Sequence, residues 1–275
     1  MRGELQGTDG NGTPRLIRVA AVGDVHVGVD SSAFTPEQVA DLPECADLLL
    51  LAGDLTQHGY AREAARLADE LARVPIPVVA VLGNHDYHQG EQAEIRAELE
   101  RAGATVLEGE RFVQTIAGIC VGVAGVKGFG GGFVGACGSE FGEEEMKAFI
   151  RHSRLRAESL QTALAGLECE LKIALLHYAP VPGTLLGEKP EIYPFLGSYF
   201  LGEAVDGAHC AAAFHGHAHL GTERAVTAAG VPVRNVARPV IRRAYKIYTL
   251  SAGVALDEAA QPGSGELAAR VRKAS

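Results

Sequence analysis

Apolar, β-branched runs that end in glycine followed by an acidic or amide residue dominate the first part of the chain. RLIRVAAVGD, ADLLLLAGD and PVVAVLGNHD each have the length and composition of a buried strand. Between them, YAREAARLADELARV places Ala64, Leu67 and Leu71 on one helical face, and EQAEIRAELERAG closes at Gly103, a suitable helix C-cap. Strands that alternate with helices predict an α/β fold with a helix-covered parallel sheet.

After Gly103 the pattern changes to strand-like runs with little helix between them. ATVL, RFVQTIAG and ICVGVAGV are three such runs, and ELKIALLHYAP and CAAAFHGHAH are later ones that carry histidines at their ends. Residues 142–167 predict helix, in one piece or two, with acidic residues in its first turn. TERAVTAAGVPVRN and RAYKIYTLSAG predict a terminal meander.

A glycine-rich segment, KGFGGGFVGACGSEFG at residues 127–142, interrupts this second half. It lacks the G-x-x-x-x-G-K-[ST] pattern of a phosphate-binding P-loop. Two interpretations stay open: a flexible connector, or a lid that brings Lys127 or Phe129 against a substrate.

No internal repeat or clear linker divides the chain. We therefore expect a single domain at residues 15–256, with a flexible N-terminal tail at residues 1–14 and a C-terminal tail or weak helix at residues 257–275. The polar N-terminus does not resemble a signal peptide, and no apolar run is long enough to span a bilayer. The five scattered cysteines, an odd number without a C-x-x-C pair, are typical of free thiols in a reducing compartment, which predicts a cytoplasmic protein without membrane association.

The net charge of the chain limits the classes of molecule that it can bind. The 275 residues carry a formal net charge of −9 and 47% hydrophobic side chains, so a sizeable core is available. Long nucleic acid is an unlikely partner because binding it requires a basic surface. A small phosphate ester is compatible with this charge, because bound metal ions can reverse the field locally.

Five of the predicted strands end in side chains that can bind metal ions. Ligands of open α/β sheets bind beyond the carboxyl ends of the strands, so these side chains are expected to converge. Carboxylates, an amide and imidazoles favour hard to borderline divalent metals. Each piece alone also fits a turn, a helix cap or a buried histidine, and only the ordered set favours a metal site. The set is Asp24 with His26, then Asp54, then Asn84 with His85 and Asp86, then His177, then His217 with His219.

The blocks GDVH, GDLT, GNHD, LLHYAP and GHAH, in this order, resemble the calcineurin-like metallophosphoesterase family. The resemblance implies a four-layer αββα sandwich with two central mixed β-sheets. It also implies phosphoester hydrolysis at a dinuclear metal centre on the strand C-terminal edge. The cofactors would be two divalent metal ions, manganese, iron or zinc, and the substrate a small phosphoester.

When the blocks are matched one by one, the resemblance implies a role for every candidate residue. One metal would be bound by Asp24, His26, Asp54 and His219, and the other by Asp54, Asn84, His177 and His217. Asp54 would bridge the two, and a water shared by them would lose a proton and act as the nucleophile. His85 would act on the substrate, by stabilising its equatorial oxygens or as a general acid. Asp86 would either orient His85 or cap the following helix, and His215 would be a packing or supporting residue.

Several functions remain open at this site. GDLTQHG lacks the second aspartate and the arginine of the protein-phosphatase pattern GDxxDRG, which favours a phosphodiesterase of the bacterial branch, including the cyclic-nucleotide type. A phosphomonoesterase or a nuclease would use the same site. A non-catalytic scaffold of the same fold is disfavoured, because all seven ligand positions and His85 are filled.

Overall fold

The computed structural model describes residues 15–252, so the predicted tails at 1–14 and 257–275 lie outside the described residues. The strands of the described part are β1 Leu16–Val22, β2 Leu48–Ala52, β3 Val78–Val81, β4 Thr105–Val106, β5 Glu110–Ile116, β6 Ile119–Val126, β7 Gly132–Phe133, β8 Ala136–Cys137, β9 Leu171–Leu176, β10 Ala212–His215, β11 Arg224–Val226, β12 Pro232–Asn235 and β13 Lys246–Ser251. The α-helices are α1 Pro36–Cys45, α2 Ala61–Leu71, α3 Gln92–Arg101, α4 Glu144–Ala165, α5 Tyr193–Leu196, α6 Tyr199–Asp206 and α7 Arg238–Ile241. Short 3-10 helices occupy His85–Tyr87, Pro182–Leu185 and Pro190–Ile192.

Two large mixed sheets form the centre of the protein. The first has the order β13-β1-β2-β3-β4, and β13 is its antiparallel member. The second has the order β11-β12-β10-β9-β6-β5, with antiparallel pairs at both edges and parallel strands between them. The carboxyl ends of the parallel strands therefore all lie at the same end of each sheet.

The two sheets pack face to face, and helices cover their outer faces. β2 and β3 contact β9, and β3 contacts β6. Side chains of β9 alternate between two cores, because Ile173 and Leu175 join the core between the sheets while Ala174 and Leu176 join the core beneath α4 and α6. The predicted four-layer αββα sandwich with two central mixed sheets is confirmed.

Some local expectations need correction or completion. The helix expected at residues 142–167 is one continuous element, α4. The predicted terminal meander is wrong, since β11 and β12 pair in the second sheet whereas β13 pairs with β1 in the first. The connector interpretation of the glycine-rich segment is wrong for residues 127–133, most of which are buried; residues from Val134 onward are largely exposed.

Helix boundaries follow ordinary capping chemistry. Thr35 and Gln38 form a capping box at the start of α1, and Pro36 occupies the first turn, where its missing N–H is tolerated. Gly103 follows α3 with a φ of 93°, the left-handed conformation expected after a helix C-terminus. Within residues 15–252, no helix combines the length and apolarity that crossing a bilayer would require.

Candidate metal centre

All seven sequence-predicted metal ligands lie together where the carboxyl ends of the two sheets meet. They come from loops that directly follow β1, β2, β3, β9 and β10. Six of them, together with His85, form overlapping groups in each of which the candidate ligand atoms lie within 4.8 Å of one another, and the seventh, Asn84, contacts His177. The groups are Asp24 with His26 and His219, His26 with Asp54 and His85, and Asp54 with His177 and His217.

Asp54 occupies the middle of this cluster. Its carboxylate oxygens lie 3.3 Å from His177 Nε2 and 3.8 Å from His26 Nε2, although these histidines belong to different sheets. Its side chain is only 2% exposed. A carboxylate reached from two sides can give one oxygen to each of two cations, which is what a bridging ligand must do.

The surroundings of His177 fit a bound cation. Its Nδ1–H donates to the Ala52 carbonyl oxygen at 2.9 Å, so Nε2 of the neutral ring carries a lone pair. That lone pair faces Asn84 Oδ1 at 2.9 Å and Asp54 Oδ1 at 3.3 Å. Three acceptor atoms that converge in a buried place are stabilised by a cation, and one amide, one imidazole and one carboxylate suit a divalent metal.

Asp24 organises the other side of the cluster. Its carboxylate accepts the backbone N–H of His217 at 3.0 Å and lies 2.8 Å from His219 Nε2. That hydrogen bond raises the pKa of His219. Burial lowers the pKa of His217 to about 3, so this ring stays neutral at physiological pH and keeps a lone pair for a cation. Its Nε2–H donates to the Phe195 carbonyl oxygen at 3.2 Å, which leaves the lone pair on Nδ1 available.

The backbone is strained at these positions. Asp24, His26, Asp54 and His217 have φ values of 56°, 47°, 50° and 70°, in the left-handed region that residues with a Cβ rarely adopt. Such conformations cost about 1–3 kcal/mol each and persist where the surrounding structure enforces them. Four strained residues within one cluster indicate that the placement of their side chains is functionally constrained.

Glycines beside the candidate ligands permit close approach. A Cβ at Gly83 would overlap the Asp54 carboxylate, and a Cβ at Gly216 would overlap the Asp24 carboxylate. The glycines of the GNHD and GHAH blocks therefore allow one loop to rest directly on the carboxylate of another.

His85 faces the cluster in a fixed tautomer. Its Nδ1–H donates to the Gln57 carbonyl oxygen at 2.8 Å, so Nε2 is the atom that gains or loses a proton. Nε2 lies 3.9 Å from Asp54 Oδ2, and the ring stacks edge-on with His26 at 4.5 Å between centroids. Nε2 of His85 thus faces the same cluster as the candidate metal ligands.

The five sequence blocks that supply these side chains identify the family of the chain. Residues 17–221 match the calcineurin-like phosphoesterase family. The chain belongs to this family. Family membership makes it a hydrolase that acts on phosphoesters with divalent metal ions, and the histidine and aspartate clusters are candidates for binding them.

More specific likenesses are limited to parts of the chain or to the fold. A Synechococcus protein named a probable cyclic nucleotide phosphodiesterase is 33% identical over 85 residues, an alignment that spans 27% of this phosphoesterase and 33% of the relative. The crystal structure of the phosphopantetheinyl hydrolase of Mycobacterium tuberculosis matches with a TM-score of 0.60 and 15% identity, over 82% of this chain and 90% of that one. The second likeness establishes the fold alone.

Asp86 neither orients His85 nor caps a helix. Its buried carboxylate accepts the backbone N–H groups of Leu55, Thr56 and Gly83 at 3.1, 2.7 and 2.8 Å, and the Thr56 hydroxyl at 2.6 Å. Both sequence interpretations of Asp86 are therefore wrong. The side chain ties the loop after β2, which carries Asp54, to the loop after β3.

We predict that Asp86→Ala lowers the free energy of unfolding by about 3 kcal/mol or more, because several buried donors lose their acceptor. Urea denaturation of chelator-treated protein measures this without a contribution from metal binding. Asp30→Ala, at an exposed aspartate of the loop after β1, is the matched control and should change stability little. Equal stability of both variants would contradict the role of Asp86.

His215 does not belong to the candidate ligand set. The strand β10 ends at this residue, and the positive φ of His217 then redirects the chain. His215 is fully buried, with Nδ1 donating to the Gly216 carbonyl oxygen at 2.8 Å and Nε2 2.9 Å from Thr184 Oγ1. Burial lowers its pKa to about 4, so a neutral His215 supports the GHAH loop.

Sequence reasoning missed the backbone carbonyls that orient the histidines. Those of Ala52, Gln57 and Phe195 accept from His177, His85 and His217. Carbonyl groups carry no sequence signal, because every residue has one. The only hint was position, since Ala52 and Gln57 flank Asp54 in the second block.

Proposed function

We propose that this phosphoesterase hydrolyses small phosphodiesters at a dinuclear metal centre. The observation that carries the proposal is that the Asp54 carboxylate is shared between histidines of both sheets. One cation would be held by Asp24, His26, Asp54 and His219, and the second by Asp54, Asn84, His177 and His217.

The divalent cations would supply Lewis-acid activation of the phosphoryl group and of the attacking water. The chain itself positions and neutralises the substrate. Neutral Asn84 and histidine side chains keep the site net positive once cations are bound, which favours an anionic phosphate. His85, held by the Gln57 carbonyl, would donate a proton from Nε2 to the leaving oxygen.

A cavity borders Gln57, whose carbonyl group orients His85, and its lining includes none of the candidate metal ligands. It has a volume of about 480 Å³, within the usual range of small-molecule pockets, and it reaches from Gly28 near His26 to Gln57 and Tyr60. Asp30 and Glu63 lie in its lining with a single arginine, Arg62. This lining and the net charge of −9 disfavour a polyanion such as long nucleic acid.

Two observations favour a diester over a monoester. The GDLTQHG block lacks the charged residues of the protein-phosphatase pattern, and the partial relative is named for cyclic nucleotide diesters. A diester carries one negative charge at the reacting phosphorus, so two cations and one acid suffice to neutralise it.

We expect the manganese-loaded protein to have a higher kcat/KM for bis-p-nitrophenyl phosphate and for a cyclic nucleotide than for p-nitrophenyl phosphate or single-stranded DNA. Steady-state kinetics with each substrate, at two salt concentrations, make the comparison. A clear monoester preference would assign a phosphomonoesterase on the same site. Strong DNA cleavage that falls steeply with salt would assign a nuclease, and no turnover with any ester would favour a scaffold.

A further inference from the structure

Lys127 follows β6 at the same sheet edge as the candidate metal ligands. Val126, the last residue of β6, pairs with Leu176 of β9, so Lys127 stands beside His177. Its carbonyl oxygen accepts the backbone N–H groups of His177 and Tyr178 at 3.1 and 3.0 Å. The backbone of Lys127 is therefore fixed directly against a candidate metal ligand.

The side chain of Lys127 is largely buried, and its ammonium group has no direct contact with a carboxylate among the residues that the structure describes. It is 8% exposed, and its Nζ forms no hydrogen bond or ion pair with any residue in the described range 15–252. The nearby Glu108 is occupied elsewhere, since one oxygen accepts the backbone N–H of Lys127 at 3.0 Å and the other pairs with Arg156 at 3.2 Å. The ammonium group itself is left without a carboxylate.

Three aromatic rings surround the ammonium group. Nζ lies 4.7 Å from the ring centroid of Tyr87, 5.1 Å from that of Phe129 and 5.5 Å from that of Tyr178. Tyr87 ends the 3-10 helix that begins at His85, and the Tyr178 ring stacks on His217 at 4.4 Å. Two of the three rings, Tyr87 and Tyr178, thus belong to loops that also carry candidate metal ligands.

A purely structural role does not explain why a positively charged lysine occupies position 127. A buried, unpaired charge is costly, and cation–π contacts recover only about 0.5–2 kcal/mol of that cost. A methionine would pack against the same rings without desolvating a charge. An anion bound at Nζ would stabilise the charged form.

We propose that Lys127 binds a phosphate oxygen of the substrate beside the candidate metal centre. The proposal rests on the proposed function, because it needs a phosphoester bound between the rings and the metal ligands. The aromatic rings hold the ammonium group in one place and exclude water from its sides. A phosphate oxygen then supplies the charge-assisted hydrogen bond that no described residue provides.

The test compares Lys127→Met, Lys127→Arg and Lys172→Met with the wild type, all loaded with manganese. Lys172 is the matched control, because it lies near the amino end of β9, whereas the candidate metal ligands lie beyond the carboxyl end of that strand. Isothermal titration with inorganic phosphate measures binding, bis-p-nitrophenyl phosphate kinetics measure KM and kcat, and elemental analysis measures metal content. Circular dichroism checks the fold, and Lys127→Gln is a second neutral variant if Lys127→Met is misfolded.

We expect Lys127→Met to weaken phosphate binding and raise KM by about tenfold to a hundredfold, the usual range for one hydrogen bond to a charged group. Metal content should stay at the wild-type value, Lys127→Arg should recover part of the affinity, and Lys172→Met should behave as wild type. Wild-type phosphate affinity and KM in folded Lys127→Met or Lys127→Gln would overturn the proposal. If the wild type hydrolyses no ester, the proposed function fails, and phosphate affinity alone then decides the role of Lys127.

Discussion

Asp54→Asn is expected to lower metal content from about two ions per chain to less than one and to reduce kcat/KM by about a thousandfold or more. The amide keeps the shape of the side chain but loses the negative charge. It can present only one acceptor oxygen, and its NH₂ group would face either His26 or His177. A shared ligand is lost for both cations at once, so the effect should exceed that of replacing any ligand that serves one cation.

Elemental analysis after dialysis against a known manganese concentration gives the stoichiometry, and anomalous scattering from crystals locates the ions. We expect the wild type to hold two ions about 3–4 Å apart, as in other two-metal hydrolytic sites. Asp47→Asn is the control, because Asp47 precedes β2 at the end opposite to Asp54 and pairs with Arg18. Full metal content in Asp54→Asn, or a single wild-type ion away from Asp54, would contradict the shared-ligand assignment.

The sequence was sufficient for the elements that carry the candidate site. The blocks GDVH, GDLT and GNHD each follow a short apolar strand, LLHYAP contains the end of another, and the structure brings all four together. For the first three blocks the reason is local, because an apolar run closed by glycine determines both the strand and the point where it ends. The role of each ligand remains a prediction, since proximity alone does not establish metal binding.

The same patterns could not predict which strands pair with each other in the sheets. KIYTLS of β13 has the composition of any half-buried strand, and nothing local distinguishes pairing with β12 from pairing with β1. The choice is made by tertiary packing, since Tyr248 of β13 stacks on Phe214 of β10 across the space between the sheets at 5.2 Å. Long-range contacts of this kind leave no periodic signal.

The positions of His217 and His219 illustrate the same limit. Two residues apart, both rings would lie on one side of an extended chain, but β10 ends before them and His217 adopts a φ of 70°. The rings reach neighbouring candidate groups through strained backbone rather than through strand geometry. The sequence named Lys127 and Phe129 only through the lid interpretation of the glycine-rich segment. The other two rings beside Lys127, Tyr87 and Tyr178, come from the loops after β3 and β9, and nothing local in the sequence links them to it.

His85→Ala is expected to keep the metal content of the wild type and to lower kcat for alkyl diesters by about 10²–10⁴-fold, the usual contribution of a general acid or base. The backbone N–H of His85 donates to Asp54 Oδ1 at 2.8 Å, and this contact survives removal of the ring. The variant therefore separates the proton-exchanging imidazole from the framework that holds the candidate ligands. His209→Asn is the control, because His209 is exposed, has a φ of 53° and lies outside the cluster, and asparagine tolerates that conformation.

The dependence on leaving group identifies what the His85 ring does. A general acid matters most when the departing oxygen is strongly basic, so the loss in His85→Ala should be large for alkyl esters and small for p-nitrophenyl esters. A ring that stabilised the equatorial oxygens of the phosphoryl group would instead cost the same factor for every leaving group. Because the Gln57 carbonyl fixes the proton on Nδ1, only Nε2 can serve either role. Kinetics on matched p-nitrophenyl and alkyl diesters, with added imidazole as a rescue agent, separate the two. An emptied metal site with normal activity per bound metal would show that His85 is a ligand and would remove it from the proton-transfer step.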